Sequence, residues 1–336
     1  MTVNILFAAK PDSWAAYEAP LTTALAEAGV AAHLSRDIAP DQVDYIVYAP
    51  NSTVQDFTPY TRCKAVLNLW AGVEHVVGNT TLTQPLARMV DHGLTQGMME
   101  WVTGHALRHH LGMDRHIHGL NGAWDKHVPP LAEDRHVTVL GLGALGSACA
   151  QAMAGLGFNV TGWSRSPRAV NGVRCLHGDE GLVQALSTAE IAVLLLPLTA
   201  ATENLLDADR LALLPRGAVI LNPGRGALID DAALLAALNS GQIGHATLDV
   251  FRVEPLPADH PFWAHPSVTV TASSITKEPP ATSCLSRMSI EDSRHKAIMR
   301  SKGARSAAPD SPSATLIVTF TGLKAARFFL AISAIA

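Results

Sequence analysis

Val137-Thr138-Val139-Leu140-Gly141-Leu142-Gly143-Ala144-Leu145-Gly146-Ser147 is the stretch that decides the fold. Four apolar or β-branched residues run directly into GxGxxG, and a helical segment, Ser147–Leu156, follows. GxGxxG alone is a weak signal; between a strand and a helix it reads as a dinucleotide-binding turn. Gly141 permits the tight turn, Gly143 lets the backbone approach a pyrophosphate, and Gly146 lets helix and strand pack closely. The amides at the helix start, from Ala144 and Leu145 onward, then face the phosphates. A glycine-rich turn without a ligand is the plain alternative, and the strand–turn–helix context weighs against it.

Outward from this turn the same alternation continues in both directions. Downstream come strand Asn159–Trp163, helix Gly181–Ser187 and an apolar strand Ile191–Leu196. Strand Ala218–Leu221, helix Asp231–Leu238, and strands Ala246–Phe251 and Val268–Thr271 complete this series. Upstream, Val3–Ala9, Tyr45–Ala49 and Ala65–Leu69 read as strands, and Trp14–Ala28 as a helix stopped by Gly29. The strands are apolar on both faces, as a parallel sheet covered by helices requires. A long helix from Thr95 to about Arg108 and a connection from Asn121 to Asp134 separate the two series. The fold class expected is therefore α/β, with two doubly wound parallel-sheet lobes and right-handed crossovers.

Composition bounds the function. The chain has 336 residues, 48% of them hydrophobic and 16% charged, which is enough for two ordinary domains and excludes a disordered or fibrous protein. A net charge of −4 and only 5% aromatics offer neither a basic stripe nor a stacking platform, so no nucleic-acid partner is expected. Cys63, Cys149, Cys175 and Cys284 form no CxxC and read as reduced thiols. Met1-Thr2-Val3-Asn4 has no basic leader region, and Lys324 and Arg327 interrupt the apolar run Thr315–Ala336. A cytoplasmic protein without a membrane span is the expectation.

The end of the second strand selects the cofactor. NAD sites carry an acid there for the ribose hydroxyl, whereas this chain has Gly162-Trp163-Ser164-Arg165-Ser166. Ser164, Arg165 and Ser166 suit a 2′-phosphate, so NADP is preferred over NAD. A solvated loop arginine is the alternative for Arg165.

With these motifs in place, the chain resembles the D-2-hydroxyacid dehydrogenase family, nearest its glyoxylate/hydroxypyruvate reductase A type. The resemblance covers about residues 1–280. Besides GxGxxG and Trp163-Ser164-Arg165-Ser166, it rests on Leu69-Trp70-Ala71-Gly72-Val73-Glu74-His75, Leu195-Leu196-Pro197-Leu198-Thr199 and Leu221-Asn222-Pro223-Gly224-Arg225-Gly226. Leu248-Asp249-Val250-Phe251 with Glu254-Pro255-Leu256 completes the series. The resemblance implies a Rossmann nucleotide lobe, residues 96–268 with the linker helix, inserted in a flavodoxin-like substrate lobe. That substrate lobe would comprise residues 1–95 and a return segment, 269–336. It implies a homodimer acting on a small 2-oxo acid. Trp70, Ala71, Gly72 and Val73 would hold the substrate carboxylate. Arg225 matches the arginine that grips carboxylate and carbonyl, a role suited to a bidentate guanidinium. Glu254 matches the acid that orients a catalytic histidine. Pro197, Leu198 and Thr199 would line the nicotinamide pocket beside Pro223 and Gly224, with Asp249 near the nicotinamide end.

The pattern breaks after the last strand. The family's proton donor stands there in a Pro-His pair, whereas this chain runs Thr271-Ala272-Ser273-Ser274. Loss of a general acid costs on the order of 10²–10⁴ in rate. Beyond about Pro280 the texture turns Ser-, Arg- and Ala-rich, which reads as a disordered tail or an out-of-frame segment. His260 and His265 read as surface residues. His105, His109, His110, His116 and His118 lack acidic or thiol partners at ligand spacing, so no metal is expected and the cluster reads as a polar helix face. Two functions stay open at this point: reduction of glyoxylate or hydroxypyruvate, and a nucleotide-binding remnant with impaired catalysis.

Overall fold

The structure is a computed structural model that describes residues 2–70, 72–88, 92–117, 122, 124 and 126–271, and the backbone of 317–319. The chain divides into two compact units. The first holds the described residues up to 88 with 317–319, and the second runs from His92 to 271.

The first unit contains β1 (Val3–Ala8), α1 (Trp14–Glu27), β2 (Ala32–Ser35), β3 (Tyr45–Tyr48), β4 (Ala65–Asn68), α2 (Glu74–Val77) and β5 (Leu86–Arg88). A late strand, which we number β13 (Ile317–Thr319), pairs parallel with β5. The sheet order is β2-β1-β3-β4-β5-β13, and every pair is parallel. Its first five strands follow the flavodoxin-like doubly wound order. Side chains alternate across the sheet: Ile5, Phe7, Tyr45 and Val47 join one core, Leu6, Ala8, Ile46 and Tyr48 the other. This is why the strands read as unbroken apolar runs.

The second unit begins with α3 (His92–His110) and α4 (Asp114–Ile117). The alternating series follows: β6 (His136–Leu140), α5 (Ala144–Gly155), β7 (Asn159–Ser164), β8 (Arg174–His177), α6 (Gly178–Ser187), β9 (Ile191–Leu194) and α7 (Ala208–Leu213). It ends with β10 (Ala218–Asn222), α8 (Asp231–Asn239), β11 (Ile243–Leu248) and β12 (Val268–Val270). All strands run parallel in the order β8-β7-β6-β9-β10-β11-β12. The chain reverses its direction of winding between β6 and β9, the crevice where such sheets bind dinucleotides.

Several boundaries move from the sequence expectation. The β9 strand ends at Leu194 rather than Leu196, because after one last bond from Leu195 N to Leu140 O the chain turns away ahead of Pro197. The β11 strand runs Ile243–Leu248 rather than Ala246–Phe251, which leaves Asp249 on the loop beyond the strand. The α5 helix starts at Ala144, one residue after the second glycine, so the last three residues of GxGxxG form its first turn. The strands β2 and β8 were absent from the sequence reading. Both lie at sheet edges with part-exposed residues, so they show no apolar run.

The expectations for Ala71, His118, Cys284 and 272–336 lie outside the described residues, apart from strand 317–319. Cys63 and Cys149 are buried and Cys175 half-buried, all three as free thiols, and burial pushes the Cys63 and Cys149 thiols up to about 12. No helix among the described residues is long and apolar enough to cross a membrane.

Candidate active site

The parallel strands of the second sheet deliver the expected residues to one edge. Gly141–Gly146 follow β6, Ser164–Ser166 close β7, Pro197–Thr199 follow β9, and Pro223–Arg225 follow β10. Asp249 and Glu254 follow β11. Trp70, Gly72 and Val73 follow β4 in the first unit.

The glycines of the turn divide their work. Gly141 has φ +109°, and a Cβ there would meet the Leu195 carbonyl oxygen at 2.6 Å. A Cβ at Gly146 would lie 1.7 Å from Gly141 O, so the packing of the fold requires glycine there. A Cβ at Gly143 would meet nothing within 4 Å. That residue is the helix N-cap and provides no side-chain cap, so α5 opens with first-turn amides unused by a capping side chain. Open space before uncapped amides at a helix start fits a phosphate-bearing dinucleotide.

At the end of β7, Ser164 Oγ donates to Ser166 O at 2.8 Å and shapes the turn that presents the exposed Arg165. Trp163 is buried beneath it and donates Nε1–H to Gly178 O at 2.8 Å. After β9, Thr202 organises the Pro197–Thr199 loop. Its hydroxyl donates to Pro197 O at 2.7 Å and accepts the Thr199 amide at 2.8 Å.

The Arg225 loop is held from below. Asn222, 1% exposed, donates Nδ2–H to Arg225 O at 2.9 Å and accepts the Gly224 amide on Oδ1 at 3.1 Å. Arg225 is half-buried and its Nη1 donates to Gly224 O at 2.6 Å. In the first unit Asn68 plays the same part: its Nδ2 donates to Trp70 O at 2.7 Å and Gly72 O at 2.9 Å. Asp249 is buried, and Thr271 Oγ1 donates to its Oδ1 at 2.6 Å. Glu254 is exposed and spends Oε1 on the Phe251 amide at 2.9 Å, which closes its own turn.

Asn68, Thr202, Asn222 and Thr271 had no role in the sequence reading. Asparagine closing a buried apolar strand ahead of a glycine-containing loop is the signal that could have found two of them. The histidines of α3 need a correction: they do not form a solvated face. His110 is buried against Phe158, and His109 Nε2 bonds Thr247 Oγ1 at 3.0 Å while stacking on His245 at 4.7 Å between centroids. Burial, then neighbouring cationic groups, lowers His109 to about 3 and His245 to about 4. Among the described residues no group of three His, Cys, Asp or Glu side chains could hold a metal ion.

The family described as D-isomer specific 2-hydroxyacid dehydrogenase, NAD binding domain, matches residues 102–273. The chain belongs to the D-2-hydroxyacid dehydrogenases, a family of oxidoreductase enzymes. It is 37% identical over 218 residues to glyoxylate/hydroxypyruvate reductase A of Serratia proteamaculans, covering 62% of this chain and 70% of that one. Among solved structures it resembles a D-isomer specific 2-hydroxyacid dehydrogenase of Xanthobacter autotrophicus Py2 in complex with NADPH and MES. That likeness has a TM-score of 0.75 and 38% identity, over 82% of this chain and 89% of the other. It also resembles an NADPH-dependent glyoxylate/hydroxypyruvate reductase of Sinorhizobium meliloti in complex with NADP and sulfate. There the TM-score is 0.67 and the identity 35%, over 81% of this chain and 87% of the other. In this D-2-hydroxyacid dehydrogenase, then, the dinucleotide turn lies within the matched span, as do Arg225, Asp249 and Glu254.

Proposed function

We propose that this dehydrogenase reduces a small 2-oxo acid, glyoxylate or hydroxypyruvate, to the 2-hydroxy acid with NADPH, and accepts NADH less well. The observation that carries the cofactor half is the α5 N-terminus, uncapped and facing open space at Gly143. In this reading the second unit is the nucleotide-binding lobe and the first, with Trp70–Val73, is the substrate lobe.

When bound, the nicotinamide supplies the hydride. The amides of Ala144, Leu145 and Gly146 would hold the pyrophosphate, and Ser164, Arg165 and Ser166 would hold the 2′-phosphate, which an acid there would repel. Pro197, Leu198 and Thr199, stiffened by Thr202, wall the nicotinamide side together with Pro223, Gly224 and Asp249. Arg225 holds the carboxylate and stabilises the negative charge that develops on the carbonyl oxygen, because its guanidinium stays charged. It cannot donate a proton near neutral pH. No histidine stands at the end of β12 in the sequence, so protonation of the alkoxide is left to water and is the weak step.

NADPH oxidation by glyoxylate, compared between the unmutated chain and Arg225→Ala, tests the assignment. The expected result is turnover that Arg225→Ala abolishes while NADPH affinity stays nearly intact. An unchanged KM for glyoxylate in that variant would remove Arg225 from the site.

A homodimer and a cytoplasmic location belong to the same proposal. Ile117, Trp124, Val128 and Leu131 leave large apolar surface exposed after α3, with Trp124 at 94%, which supports a second copy of the chain as the covering partner. Sedimentation of the purified protein tests the dimer, and cell fractionation tests the location.

A further inference from the structure

Arg252 sits on the loop between β11 and Glu254, and its guanidinium reaches two other stretches of chain. Nη2 donates to Ile229 O at 2.6 Å and to the side-chain Oδ1 of Asn204. Nη1 lies 3.7 Å from Glu203 Oε1, and Nε lies 3.6 Å from Asp231 Oδ2. The side chain is 30% exposed. Asn204 has φ +50° and is the only non-glycine residue with positive φ among the described residues. An asparagine tolerates this conformation when its surroundings hold it.

The stretches joined here are the ones that continue from the proposed site. Glu203 and Asn204 follow the Pro197–Thr199 loop, Ile229 and Asp231 follow Arg225, and Arg252 precedes Glu254. Their backbones are already in register. Asn204 N donates to Ala227 O at 2.8 Å, Leu206 N to Leu228 O at 3.0 Å, and Asp230 N to Leu206 O at 3.1 Å. A Cβ at Gly226 would lie 2.1 Å from the Phe251 carbonyl carbon, so the residue after Arg225 rests directly on the Phe251–Arg252 backbone.

We propose that Arg252 is a positioning residue that clamps the segments bearing Thr199, Arg225 and Glu254 into one block and so fixes the cation that receives the substrate carboxylate. The inference rests on the reading of Arg225 given above. A planar fork with five donors can serve two oxygens and two carboxylates from different segments, whereas an ammonium on a single stem cannot span them. Burial of the clamp is partial, so its contribution lies in geometry more than in net stability.

The test uses the full chain, Arg252→Ala and Arg252→Lys. Hydrogen exchange is read at the amides of Asn204, Leu206 and Asp230. NADPH binding is titrated by fluorescence, and oxamate, a planar 2-oxo carboxylate that cannot be reduced, is titrated into the NADPH-loaded protein. Arg252→Ala should speed exchange at the three amides at least tenfold and weaken oxamate at least tenfold, with NADPH affinity changed less than threefold. Arg252→Lys should keep the melting temperature of the unmutated chain but not its oxamate affinity. Unchanged protection of the three amides in Arg252→Ala overturns the clamp. So does equal weakening of oxamate and NADPH, which is the signature of general loosening. If the unmutated chain binds neither probe, the functional reading fails, and the exchange data still decide whether the clamp exists.

Discussion

Replacing Asn222 by alanine removes the two hydrogen bonds that hold the Arg225 loop on the end of β10. The Gly224 amide loses its acceptor, and the Arg225 carbonyl loses one of two donors, keeping the Leu228 amide at 3.2 Å. Asn222 is 1% exposed, so water cannot restore these bonds without opening the loop. A buried polar group left unpaired costs about 1–3 kcal/mol, and that cost falls on the Gly224 amide alone, because the Arg225 carbonyl keeps a donor. For a unit of this size, about 2–4 °C of melting temperature accompanies each kcal/mol, so a fall of about 2–12 °C is expected. Differential scanning calorimetry of the second unit's transition measures it. Asn239→Ala, at the exposed end of α8, is the matched control and should shift melting by no more than about 2 °C. Oxamate binding should weaken in Asn222→Ala, because the loop no longer presents Arg225 in one place. A melting shift as small as the control's, or unchanged oxamate affinity, would refute the view that Asn222 anchors this loop.

Removing the Arg165 guanidinium should cost about 1–3 kcal/mol of the preference for NADPH over NADH, the range of a charge-assisted hydrogen bond; equal dissociation constants for the two cofactors in the unmutated chain would sink the assignment. Acid should unfold the second unit early. His109 and His245 are neutral in the fold, with values lowered to about 3 and about 4, whereas the unfolded rings titrate near the ordinary value of 6.5. The unfolded state therefore binds more protons in this window. The stability contributed by keeping the rings neutral is complete above pH 6.5 and falls away as the pH drops toward 4. Arg108, His105 and His265 oppose charging of this pair and Asp114 favours it, so an equilibrium denaturation series should lose on the order of 3 kcal/mol between pH 7 and 4. His109→Phe should flatten that slope. Inserting Pro-His-Ile between Thr271 and Ala272 should raise kcat for glyoxylate by about 10²-fold or more while NADPH affinity stays constant. Turnover of the unmodified chain already at about 1–10³ s⁻¹ would show that another group donates the proton.

The α/β class and the dinucleotide turn were legible because short-range patterns carry them. Val137–Gly146 contains its strand, its turn and its helix start in one window. The strands β1, β3, β4 and β9 announce themselves by apolar runs that two flanking cores demand. The clamp around Arg252 could not be read in that way, since Glu203, Ile229 and Asp231 approach it only after the crossovers from β9 to β10 and from β10 to β11 have closed. The bond from Thr271 to Asp249 likewise depends on β11 and β12 being neighbours. The histidines of α3 were misread as a polar face because a histidine buried neutral against an aromatic ring looks, in sequence, the same as a solvated one. Edge strands such as β2 and β8 carry mixed residues and give no period to detect.

Asn68 at the end of β4 and Asn222 at the end of β10 use the same device in two separate sheets. Each reaches forward from a rigid strand and pins the next few residues through their own backbone. Part of the conformational entropy at each pinned position is thus surrendered during folding rather than at the moment of binding. A small acid offers few atoms with which to offset ordering costs, so a loop that is already stiff can hold such a ligand where a floppy one could not. On the proposed reading of Arg225, the affinity of so small a molecule then depends on an asparagine, Asn222, that need never touch it.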